Sequence, residues 1–261
     1  MNIGFIGLGN MAAAIVRGIA GSGMQDVRLY GYNPHAEKTR ALAESCGLVG
    51  CESNAAVVRT SEIVVLAVKP QVIASVLPEL APEAEGKLFL SVVAGKELGW
   101  LSAQLGGAAV VRAMPNVNAK IGASVTGWCA NEAASDAQKG AAVQILQTIG
   151  QTVEVPERFA AICNAIGGAA PAYTYLYINA LAEAAVRAGM PKPLALSIAA
   201  ASCEGSARMV RASGEHPWAL IDQVTSPGGT TIEGLLQLQA HGFEHAVHAA
   251  IDAVLEKDAR L

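Results

Sequence analysis

Two short segments of this chain hold residue types suited to charged small molecules. One is Gly7-Leu8-Gly9-Asn10-Met11-Ala12, and the other is Thr225-Ser226-Pro227-Gly228-Gly229-Thr230-Thr231. The first is a G-x-G-x-x-A pattern. Its first glycine allows a tight turn, its second lets the backbone approach a diphosphate, and its small third residue lets helix and strand pack closely. A helix begun there presents free N–H groups and a positive dipole end to phosphate oxygens. In the second segment the two glycines let backbone come near a ligand. Hydroxyls surround them with no formal charge, a neutral nest suited to a carboxylate. The alternative is an ordinary helix start capped by Ser or Thr.

The elements around these segments follow from hydrophobic patterning. Apolar runs at Asn2–Ile6, Val27–Tyr32, Ile63–Val68, Leu88–Val93 and Ala109–Ala113 read as strands. Helical spacing fills the gaps at Met11–Ala20, Ala36–Glu44, Gln71–Leu80 and Leu98–Leu105. This alternation predicts an α/β, Rossmann-like dinucleotide-binding domain with a parallel sheet and helices on both faces. Ser124–Cys129 and Gln151–Val155 add edge strands, with a helix at Glu132–Ile149 between them. Past Pro156 strand signals stop. Helices are expected at about Phe159–Ala188, Pro191–Ser213, Thr230–His241 and Phe243–Leu255. The expected division is residues 1–155 for nucleotide binding and 156–261 for an all-helical second domain.

Ligands of such sheets bind beyond the carboxyl ends of the strands. The candidate cofactor set is therefore Ile6, Gly7, Gly9, Asn10, Met11, Asn33, Asn54, Ala67, Val68, Lys69, Pro70, Ala94, Met114, Pro115 and Asn116. An acidic residue after the second strand would favour NADH by binding ribose hydroxyls. Here the strand ends Tyr30-Gly31-Tyr32-Asn33-Pro34, and His35, Lys38 and Arg40 follow. That favours NADPH, with NADH possible.

Composition excludes several other classes. The chain has 261 residues, 52% of them hydrophobic and 15% charged, with a net charge of -4. Such a composition folds and offers no basic patch for nucleic acid. Its five cysteines form no CxxC pair, so neither a disulfide framework nor a zinc site is expected, and the cytoplasm is the expected compartment. His241, His245 and His248 flank Gly242 and lack a completing ligand, so no metal is expected. His216 before Pro217 reads as a helix-start residue rather than an acid. The apolar stretch from Phe159 to Ala188 contains Asn164, Pro171, Asn179, Glu183 and Arg187, which suits a core or subunit interface better than a membrane.

The sequence resembles the pyrroline-5-carboxylate reductase family along essentially its whole length. The most specific match is Val224–Thr231 with Gly234 and Leu235, within a run from His216 to Gln239. Ala67-Val68-Lys69-Pro70, Met114-Pro115-Asn116 and Pro171-Ala172-Tyr173 match other motifs of that family. The chain departs from it at Gly167-Gly168-Ala169-Ala170, where a Ser/Gly-rich run is common, and at Pro34, where an Arg is frequent.

The resemblance implies a helical dimerisation domain, in a homodimer or larger ring of dimers, with active sites between one subunit's cofactor domain and its partner's helices. It implies reduction of Δ1-pyrroline-5-carboxylate to L-proline by hydride transfer from NAD(P)H. The substrate carboxylate is then expected on the Gly228 and Gly229 N–H groups within the Ser226–Thr230 region, and the Thr231 hydroxyl at the ring nitrogen. A β-hydroxyacid dehydrogenase would need a lysine early in the helical half, but only Lys192 and Lys257 occur after residue 156. A non-catalytic nucleotide sensor would have no use for the Thr225–Thr231 nest.

Overall fold

The computed structural model describes residues 1–260. They divide into two compact units, Met1–Pro171 with the stretch from Val254 onward, and Ala172–Ala253. The first unit contains β1 (Asn2–Ile6), β2 (Arg28–Tyr32), β3 (Val49–Gly50), β4 (Ile63–Leu66), β5 (Leu88–Ser91), β6 (Ala109–Met114), β7 (Ser124–Ala130) and β8 (Gly150–Glu154). Among the described residues these form one eight-stranded sheet in the order β3-β2-β1-β4-β5-β6-β7-β8. The order reverses between β1 and β4, which opens a crevice at their carboxyl ends.

The connecting helices are α1 (Asn10–Gly21), α2 (Ala36–Cys46), α3 (Asn54–Thr60), α4 (Pro70–Leu80), α5 (Leu98–Gln104) and α6 (Asp136–Gln147). They cover both faces because successive strand residues point opposite ways. Ile3, Phe5 and Val65 pack with Ile15, Val16 and Ile19 of α1 and Ile145 of α6. Ile6, Val64 and Leu66 pack with Val57 of α3, Ile73 and Leu77 of α4, and Leu101 of α5. The wholly buried Ile63-Val64-Val65-Leu66 run is the continuous apolar pattern of a central parallel strand.

The structure corrects several expectations. β7 runs antiparallel to β6, after a 3-10 turn at Val117–Ile121 that ends on Gly122 at φ 69°. It is flanked by β8 and so is not an edge strand. β3 and α3 had no sequence forecast. The helix expected at Glu132–Ile149 is shorter, because a capping box of Ser135 and Gln138 starts it at Asp136. The single helix expected over Phe159–Ala188 is a 3-10 turn (Glu157–Phe159), α7 (Ala160–Cys163), a π-helical stretch (Asn164–Ala169) and α8 (Ala170–Arg187).

The remaining helices are α9 (Lys192–Ser213), α10 (Pro217–Val224), α11 (Thr230–Ala240) and α12 (Phe243–Asp258). His216 is the N-cap of α10, its Nδ1 accepting from Trp218 N at 3.3 Å. In the second unit the described buried apolar residues are Ala182, Ala195 and Ala199, while Leu176, Ile198 and Met209 are over half exposed. Helices with so small a core and such large apolar faces require a covering surface. No helix of the described residues is long and apolar enough to cross a membrane.

Candidate functional site

Gly7 turns the chain from β1 towards α1 at φ +84°, its N–H donating to Tyr32 O at 3.1 Å. A Cβ there would meet Val68 Cγ1 at 2.9 Å and Ala67 O at 3.0 Å, so the loop seats directly against the end of β4. Gly9 differs. It is the N-cap of α1 in ordinary extended conformation, and a Cβ on it would meet nothing within 4 Å. No side chain caps α1 and no acidic residue lies in its first turn. The N–H groups of Asn10 and Met11 therefore face open space with the positive dipole end behind them, which fits the pyrophosphate of a dinucleotide.

The other candidates lie along the same carboxyl edge. Ile6 ends β1, and Ala67 N donates to its carbonyl at 2.9 Å. Val68 follows, then the exposed Lys69 as N-cap of α4 with Pro70 as its first residue. Asn33 follows β2, and its Oδ1 accepts from His35 N at 2.9 Å, leaving no carboxylate at this turn. Asn54 opens α3 and its Nδ2 donates to Glu79 Oε2 at 3.0 Å. Ala94 is exposed after β5. Met114 ends β6, Pro115 continues the turn, and Asn116 is only 5% exposed.

The second constellation lies in the second unit. Ser226 O accepts from Gly229 N at 3.0 Å, closing a turn in which Gly228 holds φ +67°. This differs from the expected pair of ligand-facing glycine N–H groups, since the Gly229 donor is used inside the turn. Thr225 Oγ1 donates to Ile221 O at 2.9 Å, so that hydroxyl belongs to the end of α10. Gly229 caps α11 without a side-chain bond, and Thr230 and Thr231 open that helix, both exposed. Among the described residues the Ser226, Thr230 and Thr231 hydroxyls have no hydrogen-bond partner. The donors this turn offers are thus Gly228 N and the first N–H groups of α11, with these hydroxyls beside them.

Two features were not anticipated from sequence. Arg112, 7% exposed in β6, reaches Glu157 Oε1 at 3.3 Å, and the same oxygen accepts from Leu98 N at 2.6 Å. Glu157 therefore caps α5 from a distance, a pairing with no local sequence signal. Burial, reinforced by the Glu157 charge, pushes the nearby Cys129 thiol up to about 11. The other is the tie made by Asn116, expected among the cofactor residues: its Nδ2 donates to Gly167 O at 2.9 Å and its Oδ1 accepts from Asn118 N, so its side chain is used inside the protein. An open depression of about 740 Å³ borders Glu157, Cys129 and Glu154, but none of the candidate site residues lines it.

Comparison with known proteins places the chain in a family. The family model for pyrroline-5-carboxylate reductase dimerisation matches residues 157–261, and that for NADP oxidoreductase, coenzyme F420-dependent, matches residues 2–95. The pyrroline-5-carboxylate reductase of Escherichia coli is 37% identical over 99% of this chain and 97% of its own length. That of Synechocystis is 36% identical over 100% and 98%. The solved Plasmodium falciparum pyrroline carboxylate reductase with NADP bound superposes with a TM-score of 0.90 at 31% identity, covering 100% of this chain and 97% of that one. The Coxiella burnetii pyrroline-5-carboxylate reductase gives 0.92 at 32% identity, covering 99% and 97%. With both glycine segments in place and the likeness spanning the full length, the chain belongs to the pyrroline-5-carboxylate reductase family.

Proposed function

We propose that this protein reduces Δ1-pyrroline-5-carboxylate to L-proline with NADPH. The observation that carries the reading is a pair of glycine-led helix N-termini, at Gly9 and Gly229, neither with a side-chain cap, within a chain that matches the reductases end to end. One suits a pyrophosphate and the other a carboxylate.

NADPH, when bound, supplies the hydride. Gly7 and Gly9 let the backbone reach its pyrophosphate, and the turns at Ala67–Pro70, Ala94 and Met114–Asn116 border the rest of the crevice. Gly228 N and the N–H groups at the start of α11 hold the substrate carboxylate, with Ser226 and Thr230 beside it. The Thr231 hydroxyl bonds the ring nitrogen and orients the ring. The hydride adds to the imine carbon, the C=N π pair moves onto nitrogen, and the proton already on that nitrogen stays. A protonated imine is electrophilic enough that positioning and charge complementarity supply most of the catalysis. No catalytic His or Lys is required.

Residues 1–155 act as the cofactor half and residues 156–261 as the substrate and dimerisation half. The end of β8 at Glu154 and the start of the dimerisation match at 157 support this division, whereas the compact units divide later, after Pro171, and return the stretch from Val254 to the first unit. The exposed apolar helices support a homodimer or a larger ring of such dimers. Five free cysteines suit the cytoplasm. The test is loss of reduced-nicotinamide absorbance when pyrroline-5-carboxylate is added, with NADPH used at least as well as NADH. No loss with either nucleotide would refute the assignment.

A further inference from the structure

Asn116 follows the Met114–Pro115 turn, yet both polar atoms of its side chain are committed inside the protein. Oδ1 accepts from Asn118 N at 3.0 Å, and Nδ2 donates to Gly167 O at 2.9 Å. One contact needs an acceptor and the other a donor, which fixes the amide orientation. The Asn116 N–H is also held, by Ser124 Oγ at 3.0 Å. The residue therefore acts on the turn rather than on a ligand.

Gly167 lies in the π-helical stretch Asn164–Ala169. Wide turns of this kind are rare and frequent at functional sites. The one close approach in this stretch is at Gly168. A Cβ on Gly168 would collide with Asn164 Oδ1, and Asn164 Nδ2 reaches Asp258 Oδ1 at 3.4 Å. Turn, π-helical stretch and the end of α12 thus form one connected set within the first unit.

We propose that Asn116 is a positioning residue for hydride transfer. It ties the Met114–Pro115 turn to the Gly167 carbonyl and so holds in one conformation a border of the crevice that this reading gives to the nicotinamide. The inference rests on the function proposed above, in which this turn borders NADPH. The loop at Gly7 and Gly9 is not hydrogen-bonded to the tie: Gly7 N donates to Tyr32 O and Gly9 O accepts from Ala13 N. Loss of the tie should then cost turnover far more than cofactor affinity.

The test compares full-length Asn116→Asp and Gly168→Ala with the parent. Asn116→Asp keeps the acceptor for Asn118 N but sets a carboxylate oxygen against the Gly167 carbonyl. Gly168→Ala disturbs the π-helical side alone. Amide hydrogen exchange should rise together over 114–118 and 164–169 in either variant. The NADPH Kd should stay within about threefold, kcat should fall at least about tenfold, and the isotope effect with 4-deuterated NADPH should increase. Exchange that rises on only one side of the tie overturns the proposal, as does raised exchange with an unchanged kcat. If Asn116→Asp does not fold, Gly168→Ala decides by the same readouts. If the parent itself fails to turn over pyrroline-5-carboxylate, the proposed function falls, while exchange still decides: linked exchange supports the tie, and unlinked exchange overturns the proposal.

Discussion

Gly9→Ala should separate ligand binding from folding, and Gly7→Ala supplies the contrast. The Gly9 backbone sits at φ -79°, which any residue adopts, and a Cβ there meets nothing within 4 Å. Folding should therefore be nearly unaffected, with a change within about 1 kcal/mol, equivalent to about 2–4 °C in Tm for a chain of this size. The same Cβ stands on the N-cap of α1, beside the helix start that would take the pyrophosphate. Holding the pyrophosphate off the α1 N–H groups removes one charge-assisted hydrogen bond or more, each worth about 1.5–3 kcal/mol. That converts to a Kd for NADPH raised by about 10- to 150-fold. Gly7→Ala is different in kind. A residue at φ +84° carries about 1–2 kcal/mol of backbone strain, and its Cβ contacts Val68 and Ala67 O at 2.9 and 3.0 Å. It should lower Tm as well as affinity. Calorimetric titration with NADPH and thermal melting of both variants make the comparison. Wild-type affinity in Gly9→Ala would refute the placement of the pyrophosphate. A Tm loss in Gly9→Ala equal to that in Gly7→Ala would refute the open-space argument.

Three further outcomes are expected. Thr231→Ala should lower kcat/KM by about tenfold to a thousandfold, the range for losing one oriented hydrogen-bonding group, with Thr231→Ser retaining much more; normal kinetics with a lowered Tm would make Thr231 a helix-start residue only. Glu157→Ala should destabilise by about 3 kcal/mol, because it strands the buried Arg112, whose Nε already lacks a partner, together with Leu98 N; a loss below about 1 kcal/mol in chemical denaturation would show that water reaches the guanidinium. Because the Cys129 thiol is pushed up from 9.0 to about 11, the native state keeps a proton that the unfolded chain releases first. Stability should therefore fall as pH rises from 9 towards 11, and Cys129→Ala should reduce that slope; an identical slope in the variant would contradict the burial argument.

The parts of the fold legible in the sequence are those specified locally. The β1–Gly7–α1 unit combines an apolar run, a glycine turn and helical spacing within twenty-one residues, and its elements form where the pattern places them. β3 was invisible because Val49–Gly50 is two residues long and is defined by pairing with Tyr30 and Gly31 rather than by periodicity. The direction of β7 was invisible because alternation reads the same both ways, and the Gly122 turn sets it. At the site, the glycines and threonines announce themselves by type. Long-range partners do not. Nothing adjacent to Asn116 points to Gly167, and nothing near Leu98 points to Glu157. The departure from the family pattern at Gly167–Gly168 was visible as a composition change, but that these glycines lie in a π-helical stretch required coordinates.

The most direct test of the proposed chemistry is the fate of the transferred hydrogen. Purified protein would be given NADPH deuterated at the nicotinamide C4, on each face in turn, with Δ1-pyrroline-5-carboxylate, and the product analysed by mass spectrometry and NMR. The account predicts L-proline formed in equal amount to the NADPH consumed, carrying one deuterium at C5 from one of the two labelled faces. NADPH that binds without forming proline, or proline without deuterium at C5, would contradict it.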